Sequence, residues 1–166
     1  MASVMKIREY NSSSDFEQLR ECVIELQHFE RQIDARLPAG EEIADEYINQ
    51  MLFRCRACDG KILVADISDD IAGYVTLLNK VQSDELQEGD TEYGLIADLV
   101  IKEEHRGNGL GRQLMHAAEA AAIVYGVRWL RVSVMSANTS ARKLYSSSGF
   151  SELYAEFEKD LGIKTE

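Results

Sequence analysis

Three glycines within five positions, bracketed by arginines, make Arg106-Gly107-Asn108-Gly109-Leu110-Gly111-Arg112 the stretch of this chain best equipped for chemistry. It lies between a strand-like run and a helical one. Glycines at such a junction let the backbone turn tightly and come close to a ligand. The first amides of the following helix lack intrahelical acceptors and point outward at the positive end of its dipole. Consecutive amides of this kind form a nest suited to a diphosphate. Arg106 and Arg112 add positive charge where it is scarce.

Two other phosphate motifs fail on residue identity. A dinucleotide fingerprint needs G-x-G-x-x-G; Gly107 and Gly109 fit, but Arg112 holds the third glycine position. A P-loop needs Gly-Lys followed by Ser or Thr, and no such tripeptide occurs. The chain also contains Cys55-Arg56-Ala57-Cys58, with a third cysteine at Cys22. That C-x-x-C closes a helical pattern rather than opening one after a strand, and His28, His105 and His116 show no paired spacing. A zinc or redox role is therefore not expected, and neither is a disulfide framework.

The elements that must position the glycine loop follow from periodicity. Residues 7–10 form a short strand. Ser14 and Glu17 have capping-box spacing, and Phe16, Leu19, Val23 and Leu26 then recur at helical intervals. Pro38-Ala39-Gly40 breaks the pattern, and residues 41–56 make a second helix with Ile43, Tyr47, Met51 and Arg54 along one side. Strands are expected at 61–66 and 71–78, turned by Asp69-Asp70 into a hairpin. An acidic loop at 82–90 leads to a long strand over 92–101. A helix over 110–125, a strand over 128–135, a short helix over 138–148 and a last strand over 150–157 complete the order β-α-α-β-β-β-α-β-α-β. The fold class is mixed α/β, in one domain spanning 1–166.

Arg106-x-x-Gly109-x-Gly111 resembles the acyl-CoA signature [Q/R]-x-x-G-x-[G/A] of the GCN5-related N-acetyltransferase (GNAT) superfamily. Downstream, Asn138-x-x-Ala141-x-x-Leu144-Tyr145-x-x-x-Gly149-Phe150 is similar to that family's second conserved segment. The resemblance covers 61–157 well; residues 14–58 correspond to the variable, substrate-side helices. It implies a central mixed sheet of six to seven strands with about four helices, acetyl-CoA as co-substrate, no metal, and direct transfer of acetyl to an amine. The amides of Arg106, Gly107, Asn108, Gly109, Leu110, Gly111 and Arg112 would hold the pyrophosphate. Backbone at Leu99, Val100 and Ile101 would pair with the pantetheine arm as an added strand does. Asn138, with Ala141 beside it, would meet the pantetheine amides or cap the last helix. Tyr145 would be the general acid. An amine arrives protonated near neutrality, its reference pKa lying at ~10.4, so a base is also required. Asp98 takes that role if a bulge re-aims it, since strict alternation places it with Ile96 and Val100. Glu92 and Tyr93 are alternatives, and His116 is expected on an exposed helix face.

Charge narrows the partners. Eighteen Lys and Arg stand against 29 Asp and Glu, a net charge of −11. Such a chain lacks the positive field that drives nucleic-acid binding and favours a cationic acceptor. Small amines such as polyamines, amino acids or aminoglycosides fit, with a protein N-terminus or lysine as the alternative acceptor. A non-catalytic acyl-CoA-binding module is the rival outside catalysis. No apolar run is long enough to span a membrane and the first residues carry no signal-peptide core, so cytoplasmic residence without a membrane partner is expected. The family often forms homodimers, though no residue here demands one.

Overall fold

The computed structural model describes residues 4–162. The first three residues, part of the stretch in which no signal peptide is read, and the last four lie outside them. The β-rich runs form one sheet. β1 (Met5–Glu9), β2 (Lys61–Ile67), β3 (Asp70–Gln82) and β4 (Glu92–Ile101) pair antiparallel in chain order, and β5 (Leu130–Val132) joins β4 in parallel. The hairpin between β2 and β3 turns on Ser68 and Asp69, at φ of 55° and 69°. Positive φ at both turn residues matches the twist of the strands they join.

Helices cover both faces of this sheet, as mixed α/β patterning requires. On one face α1 (Phe16–Ile33) and α2 (Gly40–Ala57) bury Leu19, Cys22, Ala44 and Ile48 against Val64 and Tyr74. On the other, α3 (Leu110–Tyr125) and α4 (Thr139–Ser147) bring Leu114, Met115, Ala118 and Tyr145 onto Val75, Leu77 and Ile96. Each fully buried aliphatic side chain contributes ~1.5–3 kcal/mol, so these two cores fix which way every strand faces. The C-x-x-C does end a helix: Cys55 is buried in α2, Cys58 follows its last turn, and both are free thiols.

Four expectations are corrected. The sheet has five strands among the described residues, not six or seven. The strand expected over 128–135 shrinks to Leu130–Val132, because β4 supports it at three positions only. No strand forms over 150–157; residues 151–162 are exposed throughout and pair with no sheet edge. Strand propensity without a partner leaves backbone groups better served by water. The capping box also fails. Asp15, not Ser14, precedes α1, and its carboxylate is taken by Arg8 at 2.6 Å and by the Asn11 amide at 2.8 Å. Ser14 donates to Asp15 at 2.9 Å instead of reaching a helix amide.

Candidate active site

Between β4 and α3 the chain makes one turn of 3₁₀ helix, Glu103–His105, and then the glycine loop. Gly107 and Gly109 both sit at φ 78°, a left-handed conformation that a side chain disfavours. A Cβ added at either would meet nothing within 4 Å, so the space above the loop is open. Gly109 is the residue before α3, and the first intrahelical bond runs from the Gln113 amide to its carbonyl at 3.2 Å. Among the described residues, the amides of positions 107–112 find no protein acceptor. Unsatisfied donors at the positive end of a helix suit an anion.

The two arginines of this loop differ. Arg112 is exposed and, among the described residues, donates to Ser147 alone, at 3.2 Å. Arg106 turns back: its Nε donates to the Ile101 carbonyl at 2.9 Å and its guanidinium pairs with Glu25 at 3.1 Å, near the ring of Phe29. The charge expected from Arg106 is thus largely neutralised, and the guanidinium braces the loop against α1. Glu25 also accepts the Glu103 amide at 2.5 Å.

The strand leading into the loop carries an irregularity at a useful place. Thr76 pairs with Asp98 but Leu77 pairs with Ile96, so Ala97 is an extra residue in β4. The bulge reverses the alternation: Ile96 faces α3, whereas Asp98 and Val100 face α1 and α2. Strict alternation would have placed Asp98 with Ile96. On its other edge β4 is paired with β5 only as far as Ile96 and Val132. Beyond that point Leu99, Val100 and Ile101 have no strand partner on this side, which leaves an open edge beside the glycine loop. An extended amide-bearing arm fits there by adding a strand.

Asp98 is 7% exposed and receives a short hydrogen bond from the Tyr47 hydroxyl of α2. Its second oxygen, Oδ2, has no hydrogen-bond partner among the described residues. Thr76, directly across the strands, donates to Met51 Sδ at 2.8 Å. Burial raises the Asp98 carboxyl above the ordinary carboxylate range, against the opposing effect of the Tyr47 hydroxyl. A carboxylate so placed takes up a proton more readily than a solvated one. Tyr145 of α4 is 9% exposed and packs on Phe150 with ring centroids 6.0 Å apart. Burial, reinforced by the charge of Asp98, pushes its phenol up to about 12, so it holds its proton near neutrality. The phenol is suited to give a proton and the carboxylate to take one.

The remaining expected residues divide. Asn138 Oδ1 accepts from the Ala141 amide at 3.1 Å, so it caps α4, with its side-chain nitrogen unengaged among the described residues. Gly111 packs at the start of α3, where a Cβ would lie 3.3 Å from Leu144. Glu92 and Tyr93 stand at the far end of β4 from the loop, the Tyr93 ring under the Arg131 guanidinium at 4.0 Å, and neither approaches Asp98. His116 is exposed on α3 beside Glu119. Tyr47 and Glu25 escaped the sequence reading as functional residues. Tyr47 is visible there only as a helix-face residue, and no spacing rule links it to Asp98, 51 positions away.

Comparison with known proteins agrees with this geometry. The profile of the Acetyltransferase (GNAT) family matches residues 23–150. Among curated relatives, the uncharacterized N-acetyltransferase YycN of Bacillus subtilis (strain 168) is 38% identical over 66 residues, 40% of this chain and 42% of that protein. The uncharacterized N-acetyltransferase YobR of the same organism is 36% identical over 37% of this chain and 25% of its own length. The matched stretch therefore spans less than half of either relative. A mutant of the BH1408 protein from Bacillus halodurans superposes with a TM-score of 0.80 at 20% identity, over 94% of this chain and 99% of that one. A GNAT family acetyltransferase from Staphylococcus aureus MU50 gives 0.70 at 18% identity, over 91% and 87%. These two structures share the fold. Among the described residues no helix is long and apolar enough to cross a membrane.

Proposed function

Because this chain belongs to the acetyltransferase (GNAT) family, we propose that it transfers the acetyl group of acetyl-CoA to a primary amine, by direct attack with both substrates bound. The observation that carries this reading is the coincidence of the bulge and the splay at Ala97. One step of β4 presents a buried carboxylate to the α2 side and opens a backbone edge beside the glycine loop.

In this reading the amides of 107–112 and Arg112 hold the pyrophosphate, and the open edge at Leu99, Val100 and Ile101 pairs with the pantetheine arm. Asn138, through its free amide nitrogen, and Ala141 border that arm from α4. Acetyl-CoA supplies a thioester, a carbonyl already activated toward amines. Asp98 accepts one proton from the acceptor's ammonium, leaving a neutral amine that sheds a second proton on attack. The amine nitrogen bonds to the carbonyl carbon as the C–S bond breaks, and Tyr145 gives its proton to the departing sulfur. An amide N–H of β4 near Leu99 or Val100 polarises the carbonyl oxygen, a role for fixed backbone donors. The second proton shed by nitrogen returns, through water, to Tyr145. A small cationic metabolite is the acceptor class this reading favours, in keeping with the net charge of −11.

Thiol release from acetyl-CoA, measured with a panel of amines, tests the proposal. Amine-dependent release that drops steeply in Tyr145→Phe is expected. Tight acetyl-CoA binding without release for any amine would instead assign the chain to non-catalytic acyl-CoA-binding modules.

A further inference from the structure

The α2 side of the site carries a charge arrangement that acetyl transfer alone does not require. Tyr47, Gln50, Met51 and Arg54 recur at three- and four-residue spacing, so they share one helix face. With Ala97 and Asp98 of β4 they line a cleft between α2 and the sheet. Asp98 lies in its wall, 7% exposed, with Oδ2 unpartnered. Arg54 stands two helical turns beyond Tyr47, about 10 Å along the axis by helical rise.

Arg54 is exposed and makes no ion pair with any described residue. Arg8, Arg20, Arg36, Arg106, Arg131 and Arg142 each hold a carboxylate, whereas Arg31, Arg56, Arg112 and Arg128 are in no ion pair among the described residues either; of these five unpaired arginines, the one that lines this cleft is Arg54. Its charge nevertheless reaches the cleft, where it favours the ionised forms of Asp98, Tyr47 and Cys55. At the Asp98 end, Glu30 of α1 acts as a second negative group, its own carboxyl raised by burial and by Asp98. The cleft is therefore polarised, acidic at one end and cationic at the other.

Resting on the transfer reading above, we propose that Arg54 binds a carboxylate on the acceptor, and that the acceptor is an amino acid or a similar amine bearing a carboxylate. The ammonium lies against Asp98, and the planar guanidinium takes the carboxylate through paired N–H donors. A diamine of similar length would set its second cation against Arg54, so the same group that attracts one class repels the other.

The test compares kcat/KM for free amino acids, their carboxamides and aliphatic diamines, in the wild type, Arg54→Gln and Arg54→Lys. The carboxamide's amine is the less basic, so its larger unprotonated fraction works against the expected result. The free acid should still win by about ten- to a hundredfold, the scale of a hydrogen bond to a charged group, and mostly through KM. The ratio should fall to about one in Arg54→Gln and recover in part in Arg54→Lys. A wild type that prefers diamines or carboxamides, or a ratio that survives Arg54→Gln, overturns this proposal while leaving the transfer reading intact. No thiol release with any amine overturns both.

Discussion

On the α3 side of β4 the candidate ligand groups are backbone amides from six consecutive positions, 107–112. On the α2 side they are the side chains of Tyr47, Arg54 and Asp98, from positions far apart in the sequence, with Glu30 of α1 within electrostatic reach of Asp98. The first arrangement needs glycines and a helix start, which are contiguous, and it tolerates many identities between them. The second needs particular side chains at particular depths, set by packing of α1 and α2 on the sheet. In the proposed reading the cofactor end therefore depends on contiguous backbone and the acceptor end on dispersed side chains. The bulge at Ala97 is where the two meet, since it belongs to the strand that serves both.

The sharpest way to break this division is Asp98→Asn. It preserves shape and removes the proton acceptor, so kcat should fall by about 10²–10⁴-fold while the acetyl-CoA dissociation constant stays in place. Parallel loss of acetyl-CoA affinity would show that the two regions are one. The pH dependence has a defined sign. Burial favours the neutral acid, so the contribution of Asp98 to stability is complete below the ordinary carboxylate range and is lost as pH rises through its raised value. Denaturation midpoints should therefore shift toward the asparagine variant as pH rises. Asp15, held down to about 2 chiefly by Arg8, behaves oppositely: its contribution is present above the ordinary range and disappears as pH falls toward 2.

A smaller effect is expected on the backbone side from Gly109→Val. A β-carbon at φ 78° costs roughly 1–2 kcal/mol, which draws the nest away from its geometry. Acetyl-CoA affinity measured by calorimetry should weaken by about tenfold, whereas KM for the amine should hardly change. The smallest change belongs to Glu25→Gln, which releases Arg106 from its ion pair. Partly exposed pairs are worth ~0.2–1 kcal/mol, so acetyl-CoA should bind only about two- to fivefold more tightly, with a steeper salt dependence. A larger gain would mean that Glu25 restrains the loop far more than its geometry implies.

The same contrast decides what the sequence discloses. β4 and α3 begin and end where periodicity places them, at Glu92–Ile101 and Leu110–Tyr125, and the loop between them is recognisable from seven adjacent residues. Asn138 as a cap follows from local chemistry as well. The direction of Asp98 does not, because it turns on one extra residue in a strand whose pairing is set by β3. Nor does the Arg106–Glu25 pair, 81 positions apart, which ties to α1 a side chain expected only to add positive charge at the loop. The absent strand over 150–157 fails for a related reason. Phe150, Tyr154 and Phe157 favour a strand by propensity, but a strand exists only where another offers an edge, and β5 is three residues long.

Calorimetric titration with acetyl-CoA, run beside NAD and ATP, is the most direct measurement of whether the donors that open α3 grip a diphosphate. Saturable uptake of acetyl-CoA that neither nucleotide reproduces, and that Gly109→Val weakens, is the predicted result. No uptake at millimolar acetyl-CoA, or uptake of NAD or ATP alone, would contradict it.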